Sequence, residues 1–417
     1  MEPNQEIKLS ALQQGVKLIG IGKHGSKKIP ENLVLEITQE LITGKAEPLL
    51  AGAFIGAVMM KDPEPSYLSL ENYFGKGSLK NPALIWENFC AEVPNELKPI
   101  GIKLLNKEEL NTEEATLLGN FLFSTVAGDF FRGLAMSILR IRYESDDEYL
   151  GLYKSLQNNA GILPGSSPKN DSLIQLAEPF DGVEHSYMIT PLLARAFQEK
   201  GYTVVATCSQ NAGPKSGINT HDIYKALAAD FVKKGMDLSP EKPLFGWAMD
   251  PCDYYPALTP WIDRRRILMK RPFLATLEKV LNPLNAKILI TSVFHIPYLE
   301  KMVQLADMAG FDGVIVLKRG LEGSLAPSLA KASGIFCAAR NKEGVMVTTS
   351  ILPSSQNKIE ADPVIEGLSV QQNIFLIQQY STNGKSDNLE FNGYADLAIL
   401  VYKEGLEWID SILLLAI

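Results

Sequence analysis

Three stretches of the chain bring together residue types that bind anions. The run Tyr202–Thr207 leads into Cys208-Ser209-Gln210-Asn211-Ala212-Gly213-Pro214-Lys215-Ser216-Gly217-Ile218-Asn219-Thr220, and a helix opens at His221. Glycines let a backbone approach an anion closely, Lys215 adds charge, and a helix start offers free N–H groups at a positive dipole end. The same residues also suit a plain strand-to-helix loop with Asn219 or Thr220 as N-cap. Upstream, Glu178-Pro179-Phe180-Asp181-Gly182-Val183-Glu184-His185 leads to Thr190-Pro191, a helix start of the same kind. Two neighbouring loops of this sort could share one anionic ligand. The third stretch, Arg264-Arg265-Arg266-Ile267-Leu268-Met269-Lys270-Arg271, is the one dense basic run. Guanidinium forks suit carboxylate or phosphate; a basic run is usually a solvated face, but Phe273, Leu277 and Leu281 take the end of this one into a packed segment, which favours an anion site.

Other motifs weigh less. Gly20-Ile21-Gly22-Lys23-His24-Gly25 spells G-x-G-x-x-G, but the segment before it reads as helix and no βαβ unit follows, so a glycine-rich turn fits better than a dinucleotide loop. Glu322 follows the predicted strand Gly313–Leu317, a position that suits a site residue, although a lone glutamate in a glycine-rich loop is more often a surface turn. Asp250 and Asp253 read as a turn rather than a cation pair. His24, His185, His221 and His295 show no metal-ligand spacing, and there is neither a nucleophile elbow nor a Walker loop.

The elements that must position these residues fall into two halves. Residues 30–43 and 47–61 read as helices, and residues 75–110, punctuated by Gly75, Gly77, Pro82, Pro94 and Pro99, read as an inserted connection. Helical periodicity returns at 112, where Asn111 and Glu114 make a capping box. Residues 30–70 align without gaps to 112–152 at an offset of 82, with Glu31/Glu113, Leu35/Leu117, Ala53/Ala135, Tyr67/Tyr149, Leu68/Leu150 and Leu70/Leu152 identical. Either duplication or shared helical patterning would produce this. Turn formers at 158–168 mark a linker. Beyond it, strands at 202–207, 287–293, 313–317, 335–338 and 345–350 alternate with helices at 191–200, 220–234, 297–309 and 326–333. Helices follow at 369–380, 390–403 and 405–414. The pattern predicts an α/β fold: a helical domain over 1–160, then an α/β domain with a mostly parallel sheet over 161–417.

Composition sets the outer bounds. The chain has 417 residues, 40 basic against 48 acidic, a formal charge of −8 and 46% hydrophobic residues, an ordinary globular composition for two or three domains. The acidic balance argues against a nucleic-acid footprint over the whole surface. Cys90, Cys208, Cys252 and Cys337 are scattered, which suits reduced thiols and gives no zinc site. With no signal-like N-terminus and no apolar run of about 20 residues, a cytoplasmic protein is expected.

Taken in order, these pieces resemble glycosyltransferase family 3, the superfamily of anthranilate phosphoribosyltransferase and the nucleoside phosphorylases. They are Leu50 to Ala57, the acid-rich turn 62–71, the two loops, the Arg-rich segment ending in Asn282-Pro283, and Arg319-Gly320-Leu321-Glu322-Gly323. The family's R-x-x-L-G-x-R-T-x-F-N-x-L-x-x-x-x-N-P is matched by Arg265, Leu268, Arg271, Phe273, Leu277, Asn282 and Pro283. Met269 stands at the glycine, Pro272 at the T and Ala275 at the N. The loops G-T-G-G-D and K-H-G-N are replaced by residues 180–184 and 208–211. The family's adjacent Asp-Glu pair for magnesium is absent, leaving Glu322 as the nearest acid. Together with Ser292-Val293-Phe294-His295, these departures resemble a divergent branch of anthranilate phosphoribosyltransferase-like proteins.

The resemblance implies a nucleoside phosphorylase/phosphoribosyltransferase-like fold with the site in the cleft between the domains. It implies a pentosyltransferase that binds phosphoribosyl diphosphate, and Mg2+ at Glu322. Asp181, Gly182 and Thr190 in one loop and Asn211, Lys215, Ser216 and Thr220 in the other would hold the diphosphate. Arg265 and Arg271 would orient a small aromatic or anionic acceptor such as anthranilate, the substrate of a step in tryptophan biosynthesis. A homodimer formed through the helical domain is implied as well. The alternative on the same scaffold is a catalytically inactive nucleic-acid-binding homodimer using Lys23, Lys27, Lys28 and 264–271. A third reading is a pseudoenzyme scaffold with 75–150 as a partner platform.

Overall fold

The computed structural model describes residues 9–20, 26–61, 64–160, 170–210, 212–215, 217–236, 238, 241–330, 334–352, 361–363, 365 and 367–413. In chain order the helices are α1 (Ala11–Ile19), α2 (Glu31–Ile42), α3 (Pro48–Met59), α4 (Glu71–Phe74), α5 (Ala83–Phe89), α6 (Lys98–Leu105), α7 (Thr112–Leu122), α8 (Asp129–Arg142) and α9 (Asp146–Ala160). They continue as α10 (Thr190–Gln198), α11 (Thr220–Ala226), α12 (Pro251–Tyr254), α13 (Thr259–Leu268), α14 (Leu274–Val280), α15 (Tyr298–Met308), α16 (Val370–Asn383) and α17 (Leu389–Leu413). The strands are β1 (Asn170–Ala177), β2 (Thr203–Thr207), β3 (Trp247–Met249), β4 (Ala286–Val293), β5 (Gly313–Lys318), β6 (Ile335–Arg340) and β7 (Met346–Ile351). The chain divides into two compact units. One comprises residues 1–159 with 260–274, the other 160–259 with 275–417. The segment 260–274, which carries the basic run, thus belongs with the helices, whereas the sequence reading placed it in the second domain.

The helical unit is built around α3, which is buried from Leu49 to Met59 because its sequence is apolar all round. It crosses α8 at backbone contact. A Cβ on Gly52 would lie 1.9 Å from the Phe130 carbonyl oxygen, and one on Gly133 would lie 1.8 Å from that of Leu49. Only glycine permits so close a crossing. Residues 75–110 are not a bare connection: α5 and α6 lie there, and Trp86 of α5 packs edge-on against Phe131 at 5.0 Å. The capping box at the start of α7 forms as expected, with Asn111 accepting from Glu114 N–H. At the other end of α7, buried Arg132 donates to the Phe121, Leu122 and Ser124 carbonyls, where a cation also suits the helix dipole. Pro30 is the N-cap of α2.

The second unit is a 7-stranded sheet in the order β3-β2-β1-β4-β5-β6-β7. The strands β3 to β5 run parallel, and β6 and β7 are antiparallel additions at one edge. Alternate residues Ile174, Leu176, Val204, Ala206, Ile288, Ile290, Ile315 and Leu317 enter one core with Leu193 and Phe197 of α10 and Tyr402, Leu406 and Ile409 of α17. The opposite face includes Gln175 of β1, whose amide donates to the Lys279 and Leu281 carbonyls at the end of α14. Because β1 lies between β2 and β4, the direction of winding reverses beside it, the kind of position where open α/β sheets bind ligands.

Several expectations change. The strands β1 and β3 were not anticipated. The helix expected over 220–234 ends at Ala226. Ala228 turns left-handed (φ 53°), and Phe231 then bridges to Ala248. The described part of 326–333 is not helical, because Asp362 takes the N–H groups of Leu329 and Ala330. The two helices expected over 390–414 are one. Gly405 does not break it, and a Cβ there would meet Ile335 at 2.6 Å and Ile315 at 2.9 Å.

Candidate functional site

The loops after β1, β2 and β5 meet at the C-terminal end of the sheet, and a buried carboxylate joins them. Glu178, the residue just past β1, accepts from the hydroxyls of Thr190 and Thr220, the latter at 2.7 Å, and from Leu325 N–H at 2.8 Å. One side chain thus fixes the start of α10, the start of α11 and the loop beyond β5. Thr190 and Thr220, expected to contact a ligand, are committed to this work. Glu178 itself was not among the candidate residues. Its one sequence signal is an acid at the end of an apolar strand.

The first two loops are also clasped backbone to backbone. Val183 N–H donates to the Ile218 carbonyl at 2.9 Å, and Ile218 N–H returns a bond to Val183 at 3.0 Å. Gly182 has φ 75°, and a Cβ there would lie 2.6 Å from the Gly217 and Ile218 oxygens. Gly182 therefore serves the crossing of the loops. Asp181 beside it is fully buried. Asn219 takes the N-cap of α11, accepting from Asp222 N–H, while its amide donates to the Phe180 and Ser209 carbonyls.

Beyond the clasp, three donors converge on one carboxylate. Glu322 accepts from Glu184 N–H (3.1 Å to Oε2), from His185 N–H and from the Lys215 ammonium, with which it is ion-paired. Burial alone would raise the Glu322 carboxyl. The Lys215 ammonium and the two N–H groups outweigh it and hold the group below its ordinary value. Glu322 has a left-handed backbone (φ 53°) between Gly320 and Gly323. Neighbouring bonds hold the loop: Ser292 Oγ donates to the Gly323 carbonyl, and the Ser186 and Ser324 hydroxyls lie 3.1 Å apart.

This arrangement is an anion cradle, with two N–H groups and an ammonium facing negatively charged oxygens. It does not suit Mg2+, for which Glu322 was the candidate. A divalent cation needs oxygen donors, whereas Glu322 is met by hydrogen-bond donors and a cation. Among the described residues no group of three His, Cys, Asp or Glu could hold a metal ion. Asp250 serves as N-cap of α12, accepting from Cys252 N–H at 2.9 Å.

The basic run lies in the other unit and does not form a single charged face. Arg264 pairs with Asp129 at 3.0 Å and lies over the Trp261 ring, and Arg266 pairs with Asp263 at 2.8 Å. Arg265 and Lys270 are buried, and Arg271 is half-buried. Asn211, Ser216 and most of the 20–25 glycine motif lie outside the described residues, while Gly20 ends α1. Among the described residues no helix is long and apolar enough to cross a membrane. The four cysteines are free thiols.

A search of protein-family models finds no match. An uncharacterized protein of Aquifex aeolicus is 26% identical over 222 residues, 53% of this chain and 66% of its own length. An anthranilate phosphoribosyltransferase of Deinococcus radiodurans is 23% identical over 233 residues, 53% of this chain and 65% of its own. The chain therefore spans just under two thirds of these relatives. Among solved structures, anthranilate phosphoribosyltransferase (TrpD) from Thermus thermophilus superposes with a TM-score of 0.53 at 18% identity, covering 75% of this chain and 93% of that one. The likeness is one of fold. It supports the α/β architecture with a mostly parallel sheet that the sequence pattern predicts.

Proposed function

We propose that this chain binds phosphoribosyl diphosphate at the loop cluster of its α/β unit and transfers the phosphoribosyl group to a small aromatic or anionic acceptor. It would be an anthranilate phosphoribosyltransferase-like enzyme. The observation that carries the reading is the cradle of Lys215 and the Glu184 and His185 N–H groups beside the sheet's reversal point. The fold likeness to the Thermus enzyme and the sequence similarity to the Deinococcus enzyme support it.

The chemistry asks little of side chains as acids or bases. The bond from the anomeric carbon to the diphosphate oxygen breaks, positive charge gathers on the ribose ring, and negative charge gathers on the leaving diphosphate. Fixed donors at that diphosphate lower the barrier because they are already oriented when the charge develops. Lys215 and the two N–H groups fill this role. Glu178, Thr190 and Thr220 hold the loops that carry them, and the Gly182 turn keeps the loops in register. No step is assigned to a metal.

The nucleic-acid alternative loses ground on the basic run, where Arg264 and Arg266 are paired with acids and Arg265 and Lys270 are buried. Lys28 is also paired, with Glu64. A cytoplasmic homodimer accompanies the transferase reading, and light scattering of the purified chain tests the dimer.

The deciding experiment is calorimetric titration of phosphoribosyl diphosphate, with and without magnesium, into the wild type and Lys215→Ala. Micromolar binding that Lys215→Ala abolishes supports the reading. The absence of any binding heat at several temperatures overturns it.

A further inference from the structure

We propose that Glu322 is a built-in occupant of the anion cradle, so that an incoming phosphate must displace it. The inference deepens the reading above, since it concerns the same loops, but it needs only that the cradle accepts a phosphate group.

The argument begins with what Glu322 contacts. Its two oxygens take the Lys215 ammonium and the N–H groups of Glu184 and His185. Those are the donors that a loop of this kind, placed beyond the end of β1, would present to a phosphate oxygen. The carboxylate is a surrogate in charge and in hydrogen bonding: it is planar where a phosphate is tetrahedral, but it is acceptor-only and receives several donors at once. It comes from the loop after β5, 107 residues beyond Lys215, so no local turn requires the contact.

The surroundings allow exchange. Glu184 and His185 are exposed, and the Lys215 and Glu322 side chains keep 29% and 15% of their surface, so solvent and solutes reach the pair. A phosphate carries more negative charge than a carboxylate and offers more acceptor oxygens to the same donors. The backbone at Glu322 is left-handed, and glycines stand two residues before it and one after. The Glu322 side chain can turn away about its own side-chain torsions while the loop stays held by Ser292 and Ser324, so Glu178, which holds Leu325 just beyond, is not disturbed. Glu322 would then set a threshold. Weakly charged anions fail to displace it, while a diphosphate with its higher charge succeeds.

The test uses inorganic pyrophosphate without metal, titrated calorimetrically into the full chain. Glu322→Ala is expected to bind it at least tenfold more tightly than the wild type, and Lys215→Ala/Glu322→Ala to lose that gain. Glu322→Gln, which keeps the shape and removes the charge, provides the same reading if the alanine variant folds poorly, and is also expected to bind more tightly. Equal or weaker binding by a folded Glu322→Gln would overturn the proposal, as would a gain that persists without Lys215. The outcome is separable from that of the transferase reading. Tighter pyrophosphate binding by a chain that ignores phosphoribosyl diphosphate sustains this inference and removes the other. Strong phosphoribosyl diphosphate binding that is indifferent to Glu322 does the reverse.

Discussion

Replacing Lys270 with methionine should change how the stability of the helical unit depends on pH. Lys270 is buried, its ammonium donates to the buried Ser137 hydroxyl, and none of the described acids pairs with it. Burial, with the nearby Arg140 charge, pushes its pKa down from 10.5 to about 7. The sign follows from the depressed value. Above 10.5 the amine is neutral folded or unfolded, and the penalty is absent. As pH falls toward about 7, the unfolded chain takes up a proton that the folded chain refuses, so stability drops. Below about 7 the cost is fully present, roughly 4–5 kcal/mol at about 1.4 kcal/mol per unit. Lys270→Met removes the titrating group. Its lead over the wild type should shrink by about 1.4 kcal/mol for each pH unit above about 7, or roughly 2 kcal/mol between pH 7.5 and 9. Loss of the bond to Ser137 costs about 1 kcal/mol at every pH, so the slope and not the offset carries the test. Urea unfolding at successive pH values, followed by Trp86 and Trp261 fluorescence and circular dichroism, measures it. A difference between the two proteins that stays flat with pH would refute the reasoning, because it would mean that Lys270 is charged in place and compensated.

Four other substitutions probe the scaffold. Glu178→Gln removes the charged acceptor shared by Thr190, Thr220 and Leu325 and should cost about 2–4 kcal/mol, with faster hydrogen exchange at the Leu325 amide. Gly133→Ala puts a methyl 1.8 Å from the Leu49 carbonyl oxygen and should lower stability by about 2 kcal/mol or more. Gly393→Ala in α17, where the nearest atom is 3.6 Å away, should be neutral or gain about 0.5–1 kcal/mol; thermal melts compare the two. Met269→Gly relieves a left-handed residue at φ 55° and should gain up to about 1 kcal/mol, read as a shift in the urea midpoint.

The sheet was legible where strands are rich in β-branched residues, as in Thr203–Thr207 and Ala286–Val293. It was not legible at Asn170–Ala177, where Gln175 interrupts a short apolar run; that strand owes its place to neighbours on both edges. The two loops were legible as neighbours, but the carboxylates that tie them together were not. Glu178 reaches Leu325 across 147 residues, and Glu322 reaches back 107 to Lys215, separations at which no local spacing carries a signal. The basic run misled for a different reason. On a helix, successive residues turn by about 100°, so Arg264, Arg265 and Arg266 point to Asp129, into the interior and to Asp263 in turn. A dense run in sequence becomes a dispersed set in space.

The departures from the resembled pattern divide into two physical kinds. At Met269, where that pattern has glycine, the backbone still turns left-handed although the residue disfavours it. The turn is imposed from both sides: Leu268 is fully buried before it, and Lys270 and Phe273 are buried after it. Packing therefore holds the geometry and the side chain tolerates it. At Glu322 the reverse applies. The backbone is again left-handed (φ 53°), in a loop held by Ser292 and Ser324, but the Glu322 side chain itself is tied by the Lys215 ammonium and two N–H groups rather than by packing. A position fixed by packing resists ligands, because moving it opens the core. A side chain held by a partly exposed ion pair can be moved without opening the core. This contrast is why the chemistry of the chain is best sought first at the Glu322 loop and only afterwards along the arginine run.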